Sequence, residues 1–125
     1  MKIVMIVAAV LAGLFGIGLL VAPVGFYAPI GLVLTPLAAT IPQAHGATLV
    51  GLAVLNWRAR AFSGDPLRAV LLGNLVVQIL SLGVAIRIAT LGVGTAITPA
   101  LIIHVTLGTV FAAALVVERR RRIAG

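Results

Sequence analysis

Residues 3–22 read IVMIVAAVLAGLFGIGLLVA and contain no polar side chain. At about 1.5 Å per residue, a helix over this run is about 30 Å long, which matches the hydrocarbon thickness of a bilayer. An apolar run of this length, with no side suited to water, is typical of a transmembrane helix. It is longer than the apolar part of a secretory signal, about 7–15 residues, and no polar cleavage region follows, so we expect it to be retained.

The composition of the whole chain agrees with insertion into a membrane. Of its 125 residues 62% are hydrophobic and 9% are charged, whereas a soluble domain is about 45–50% apolar and about a quarter charged. The chain has no cysteine, which excludes disulfides, thiolate metal sites and thiol redox chemistry. No linker divides it, so we expect a single transmembrane domain over residues 1–125.

Three further apolar runs complete a predicted all-α fold, an integral membrane four-helix bundle. The third and fourth open at Asp65-Pro66 and Thr98-Pro99, where a proline in the first turn marks a helix start. The predicted spans are residues 3–22, 44–61, 67–91 and 98–117, followed by a basic cytoplasmic tail at 118–125.

The connector between the first two predicted spans, residues 23–43, is apolar and contains four prolines. Proline disfavours a helix interior, so we expect this outer loop not to span the membrane. It is predicted to lie in the outer interface or to cap the bundle, with a lid over a ligand as the alternative.

Basic residues predict the orientation. If the spans alternate, eight of the nine Lys and Arg residues fall on one side, and residues 23–43 and 92–97 carry no charge. Lys and Arg mark the cytoplasmic side, so we expect both termini inside. The net charge of +7 then serves orientation, and no basic face with interleaved aromatics indicates nucleic-acid binding.

The cytoplasmic edge is expected to anchor the bundle and to bind anionic lipid. Tryptophan favours the interface, and each arginine near an anionic surface contributes about 1 kcal/mol. The predicted anchor and lipid-binding residues are Trp57, Arg58, Arg60, Arg119, Arg120, Arg121 and Arg122.

Small residues predict the packing faces, because leucine gains little by leaving lipid for another leucine. On the third span the predicted face also includes Val76, Leu80 and Arg87. The predicted small packing residues are Ala8, Ala9, Ala12, Gly13 and Gly16 on the first span, Ala47 and Gly51 on the second, Gly73 and Gly83 on the third, and Gly108 and Ala112 on the fourth.

Polar residues within the spans form two predicted layers. The inner seam comprises Asn56, Asn74, Gln78 and Ser81. Because the second and third spans are joined by a short loop, an Asn56–Asn74 hydrogen bond is expected. The seam is interpreted as structural, with a solute path as the alternative.

The outer layer comprises His45, Arg87 and His104. No acid lies on the outer half to pair with Arg87, so it is expected to contact lipid phosphates, an intersubunit partner or an anionic ligand. The two imidazoles lack a third ligand for a metal, and helix contacts are the preferred interpretation over axial ligation of haem. No metal and no cofactor are predicted.

The stretch AHGATLVGLAVLNWRAR at residues 44–60, preceded by Pro23, Tyr27, Gly31 and Leu34, resembles a group of small bacterial four-span membrane proteins. They are loosely DoxX-like and mostly of unknown function. The resemblance implies a four-helix protein of the bacterial inner membrane. Relatives often carry a basic residue where this sequence has His45, so the resemblance assigns no shared outer site.

The preferred function is a non-catalytic accessory or structural subunit that packs against a larger membrane complex or against itself. The alternative is a small oligomeric transporter or channel for a small or lipophilic solute, which the lack of a membrane carboxylate disfavours. No Ser-His-acid set, carboxylate pair or cysteine pair indicates an enzyme.

Overall fold

The computed structural model describes residues 1–92 and 97–124, apart from the side chains of Arg122 and Ala124. Over these residues the regular structure is helical and contains no strand. In chain order the helices are α1 (Lys2–Val21), α2 (Pro23–Tyr27), a 3-10 helix (Ala28–Ile30), α3 (Pro36–Ala59), α4 (Gly64–Ala89) and α5 (Thr98–Ala124).

Four of these helices, α1, α3, α4 and α5, are long and apolar enough to cross a membrane. The predicted all-α class with four membrane-length helices is therefore confirmed. The chain is a multi-pass membrane protein.

The predicted boundary of the second span is wrong at its beginning. Helix α3 starts at Pro36, eight residues before the predicted start, and contains Pro42 in its interior. Thr35 caps it, since its hydroxyl oxygen accepts from the Ala38 amide at 3.2 Å, and Pro36 occupies the first turn, where its missing N–H is no loss. An interior proline is tolerated in membrane helices, so the prolines did not exclude helix from residues 36–43.

The chain divides into two compact units, Met1–Arg60 and Ala61–Gly125. The first unit pairs α1 with α3, and the second pairs α4 with α5. Each pair is antiparallel, as the contacts below show.

The α1–α3 pair is held by a close approach of two backbones. A Cβ atom added to Gly46 would lie 2.6 Å from the carbonyl oxygen of Gly16, and one added to Gly16 would lie 2.9 Å from that of Gly46. The Gln43 side-chain amide donates to the Leu20 carbonyl at 3.2 Å, which supplies a partner to a carbonyl in the last turn of α1.

The buried faces of the first unit match the prediction for α1 and contradict it for α3. On α1 the predicted Ala8, Ala9 and Gly16 are buried. On α3, however, Ala47 and Gly51 are exposed. The packing face lies one step around the helix and consists of Ala39, Pro42, Gly46, Asn56 and Ala59.

The connector folds back onto α1. The Phe26 ring contacts the Phe15 ring edge-on, with centroids 5.7 Å apart. A Cβ atom on Gly18 would lie 3.1 Å from Phe26, so Gly18 provides space for this ring. Apolar side chains in the connector are thus partly explained by contact with α1.

In the second unit, α4 buries Leu67, Leu71, Asn74, Gln78 and Ala85. The predicted packing face at Gly73 and Gly83 is wrong, because both glycines are exposed and a Cβ atom on either would meet nothing within 4 Å. The prediction for Gly108 on α5 is right, since its Cβ atom would contact Gln78 at 3.6 Å.

The glycine contact gives a test with a matched control on the same helix. Gly46→Ala is expected to destabilise the protein by about 1–3 kcal/mol, because the added methyl overpacks a backbone contact. Gly51→Ala adds the same methyl in open space and is expected to be neutral or stabilising by up to about 1 kcal/mol through helix propensity. Unfolding by denaturing detergent in mixed micelles measures both. Equal stabilities for the two variants would contradict the Gly16–Gly46 contact.

Candidate functional site

A polar pair lies within the membrane-length part of the second unit. Helix α4 places Gln78 on its buried face, and α5, running in the opposite direction, brings His104 against it. His104 Nδ1 lies 2.8 Å from Gln78 Oε1. Since the amide oxygen only accepts, the imidazole donates from Nδ1 in this arrangement. The bond satisfies polar groups that are costly to leave unpaired in hydrocarbon.

This pair joins residues that the sequence assigned to different layers. Gln78 was placed in the inner seam and His104 in the outer cluster. Arg87 lies nine residues beyond Gln78 on α4, which is about 13.5 Å along the helix axis. The second unit therefore does not bring Arg87 and His104 together as a cluster.

The other predicted polar residues lie as follows. Asn74 is buried and its amide donates to the Val70 carbonyl of its own helix at 2.9 Å. Ser81 is half-buried on α4. Asn56 is buried on α3, and His45 is exposed there. The predicted Asn56–Asn74 hydrogen bond concerns residues of different units and stays a prediction.

Glu118 is a structural residue that sequence reasoning missed. It was assigned to the cytoplasmic tail, but α5 continues to Ala124 and Glu118 is 92% buried, with 8% of its surface exposed. Its Oε1 accepts from the Gly64 amide at 3.2 Å, in the first turn of α4. A carboxylate there satisfies a free N–H and interacts favourably with the helix dipole. The available signal was its spacing of four and seven residues from the buried Ala114 and Phe111.

Arg87 is exposed in the last turn of α4. Of the two acids in the chain, Asp65 precedes it by 22 residues on the same helix, about 33 Å. Glu118 contacts the opposite end of α4. Neither carboxylate neutralises Arg87 within the second unit, as the sequence indicated.

A shallow apolar groove lies beside Arg87. Its volume is about 470 Å³, and it runs between α4 and α5. We call it the α4–α5 groove. Its lining residues are Leu82, Ile86, Leu101, Ile102, Val105 and Thr106.

The predicted anchor and lipid residues lie at helix ends. The Arg60 guanidinium stacks on the Trp57 ring, 3.9 Å from its centroid, and donates to the Trp57 carbonyl. Arg58 is exposed next to them. Arg119, Arg120 and Arg121 are exposed on the last turns of α5, and the Arg122 side chain lies outside the described residues. Their roles toward lipid stay predictions.

Among residues 1–92 and 97–124, no three His, Cys, Asp or Glu side chains gather in a way that could hold a metal ion.

Comparisons of the chain with protein families, with curated proteins and with solved structures find no match. The resemblance to DoxX-like proteins therefore stays a hypothesis, and function has to be argued from the chain's own geometry.

The Gln78–His104 bond is expected to appear as a coupling energy between α4 and α5. In a double-mutant cycle of Gln78→Leu and His104→Leu, we expect about 0.6 kcal/mol and at most about 1.7 kcal/mol, the range for hydrogen bonds between membrane helices. A control cycle pairs Gln78→Leu with Val105→Ala, an exposed position on α5, and is expected to show no coupling. The bond would be refuted by equal values in the two cycles.

The contact of Glu118 with α4 predicts a loss of stability when the carboxylate is removed. Glu118→Ala is expected to cost about 1 kcal/mol, as for loss of a helix cap. Glu118→Gln keeps an acceptor and is expected to lose only the charge contribution of about 0.3–1 kcal/mol. Arg119→Ala, at the exposed neighbouring position, is the control and is expected within about 0.5 kcal/mol of the parent. The contact is wrong if Glu118→Ala unfolds in micelles like Arg119→Ala.

Proposed function

We propose that the chain is a non-catalytic subunit of a bacterial inner-membrane assembly that packs through one face of α4 against another transmembrane helix. The partner helix belongs to a larger complex or to a second copy. Both termini are proposed to lie in the cytoplasm, which the distribution of Lys and Arg supports.

The observation that carries this proposal is an open face on α4. Gly73, Val76, Leu80 and Gly83 recur at spacings of three and four residues, which places them on one side of the helix. All four are exposed, with Leu80 at 66% and Val76 at 45%. We call this set the Gly73–Gly83 face.

The two glycines have no use within the chain's own described packing. A Cβ atom on either would meet nothing within 4 Å, while glycine in a helix costs about 1 kcal/mol relative to alanine. In membranes, small residues at this kind of spacing let a second backbone approach closely, and the contact then gains dispersion energy and weak hydrogen bonds. Packing of another helix would compensate for the lost helix propensity.

The second candidate function is a small oligomeric transporter or channel. The Gln78–His104 bond favours it, because it places polar groups midway along α4 and α5. The two acids lie at helix ends instead, at Asp65 and Glu118, so the spans offer no carboxylate for coupling to an ion. The subunit role is therefore the better supported of the two.

Because the chain has no cysteine, single-cysteine variants test the open face directly. Leu80→Cys, labelled in native membranes with a benzophenone maleimide and irradiated, is expected to capture a membrane protein or a second copy, identified by mass spectrometry. Ile79→Cys is the matched control. It lies at the same depth and is 58% exposed, but it points about 100° away.

The expected result is several-fold more protein adduct at Leu80 than at Ile79. Adding Gly83→Leu to Leu80→Cys should reduce the adduct, because the bulky side chain blocks close approach. Lipid adducts alone at Leu80, or equal protein capture at both positions, would reject the proposed face.

A further inference from the structure

Arg87 and the α4–α5 groove lie at the same end of the second unit. Ile86, which lines the groove, directly precedes Arg87, and Leu82 lies one turn further into α4. On α5, which runs in the opposite direction, the lining extends from Leu101 to Thr106, about 7.5 Å along the axis. The groove therefore begins beside the guanidinium and extends away from the helix end.

This arrangement places a cation at the end of an apolar channel. Arg87 occupies the last turn of α4, where carbonyl dipoles favour a positive charge but do not neutralise it. The carboxylate of Asp65 is about 33 Å away along the same helix. An anion from outside the chain is required to pair with Arg87, and a guanidinium binds phosphate oxygens in a bidentate manner.

A phospholipid provides both complementary parts at this depth. Its phosphate lies at the edge of the hydrocarbon, level with the end of a spanning helix, and its acyl chain extends toward the bilayer centre, as the groove does. The groove volume of about 470 Å³ lies within the range of about 300–1,000 Å³ for small-molecule sites. Five of its six lining residues are purely aliphatic, and the sixth is Thr106.

We propose that the α4–α5 groove is a binding site for one anionic phospholipid, with an acyl chain in the groove and the phosphate bound by Arg87. A net negative headgroup is preferred over a zwitterionic one, because no carboxylate near Arg87 offsets its charge. The site is independent of any helix packed on the Gly73–Gly83 face, since Leu82 and Ile86 lie on the side of α4 toward α5.

Quenching of a single tryptophan by brominated lipid tests the site. The chain has one tryptophan, Trp57, so Trp57→Phe provides a silent background. Ile102→Trp reports from the groove, or Val105→Trp if the first variant does not fold. Val84→Trp is the control, because Val84 is exposed on α4 and does not line the groove.

Each variant is reconstituted in vesicles of equal parts phosphatidylglycerol and phosphatidylcholine, with bromine on the acyl chains of one lipid or of the other. The surface charge is thereby constant. At Ile102→Trp we expect phosphatidylglycerol to be favoured about fivefold, as expected for one basic contact to an anionic headgroup. At Val84→Trp we expect no preference.

Arg87→Gln is expected to abolish the preference at Ile102→Trp, whereas Arg119→Gln with Arg120→Gln is expected to leave it unchanged. Added inorganic phosphate should also leave it unchanged, because a free ion has no acyl chain. The proposal is overturned by equal quenching from both lipids at the groove, by the same preference at Val84→Trp, or by a preference that survives Arg87→Gln.

Discussion

Association of helices in a bilayer gains little from apolar contact, because lipid tails are as apolar as leucine. The chain must therefore hold its helices together by close backbone approach or by polar groups, and its two units differ in which they use. The first relies on Gly16 against Gly46, where either Cβ atom would lie within 3 Å of the opposite carbonyl oxygen. The second buries the ring of Phe111 together with Gln78 and Glu118.

Polar side chains also fix how the helices align. In the second unit, Glu118 meets Gly64 and His104 meets Gln78. The two contacts are 14 residues apart on both helices, about 21 Å. Equal spacing means that α4 and α5 stay in register over four turns, and a shift by one residue would break both bonds. In the first unit, the Gln43–Leu20 bond has the same effect at one end of α1. Directional bonds thus supply a register that dispersion contacts alone do not specify.

The sequence predicted the number and class of the long helices, because length and apolarity determine them directly. Faces were harder to predict, because small residues recur on several sides of these helices. On α3, Gly46 lies adjacent to Ala47, and the one-residue difference separates the contact from an exposed surface. Glu118 was hidden within a run of arginines that indicated a solvated tail. The Gln78–His104 bond required the register of α4 against α5, which sequence periodicity does not determine.

Helix α4 shows why glycine placement and charge placement have to be interpreted together. Its side toward α5 is filled by Leu71, Gln78 and Ala85, whereas the side bearing Gly73 and Gly83 is open. A surface selected only for contact with lipid would have no need of glycine, which lowers helix stability. Nor would it need a guanidinium far from any carboxylate. The open glycines therefore argue for a protein contact and the cation argues for an anionic headgroup, and because the groove lies on the α5 side of the helix, one occupant does not displace the other.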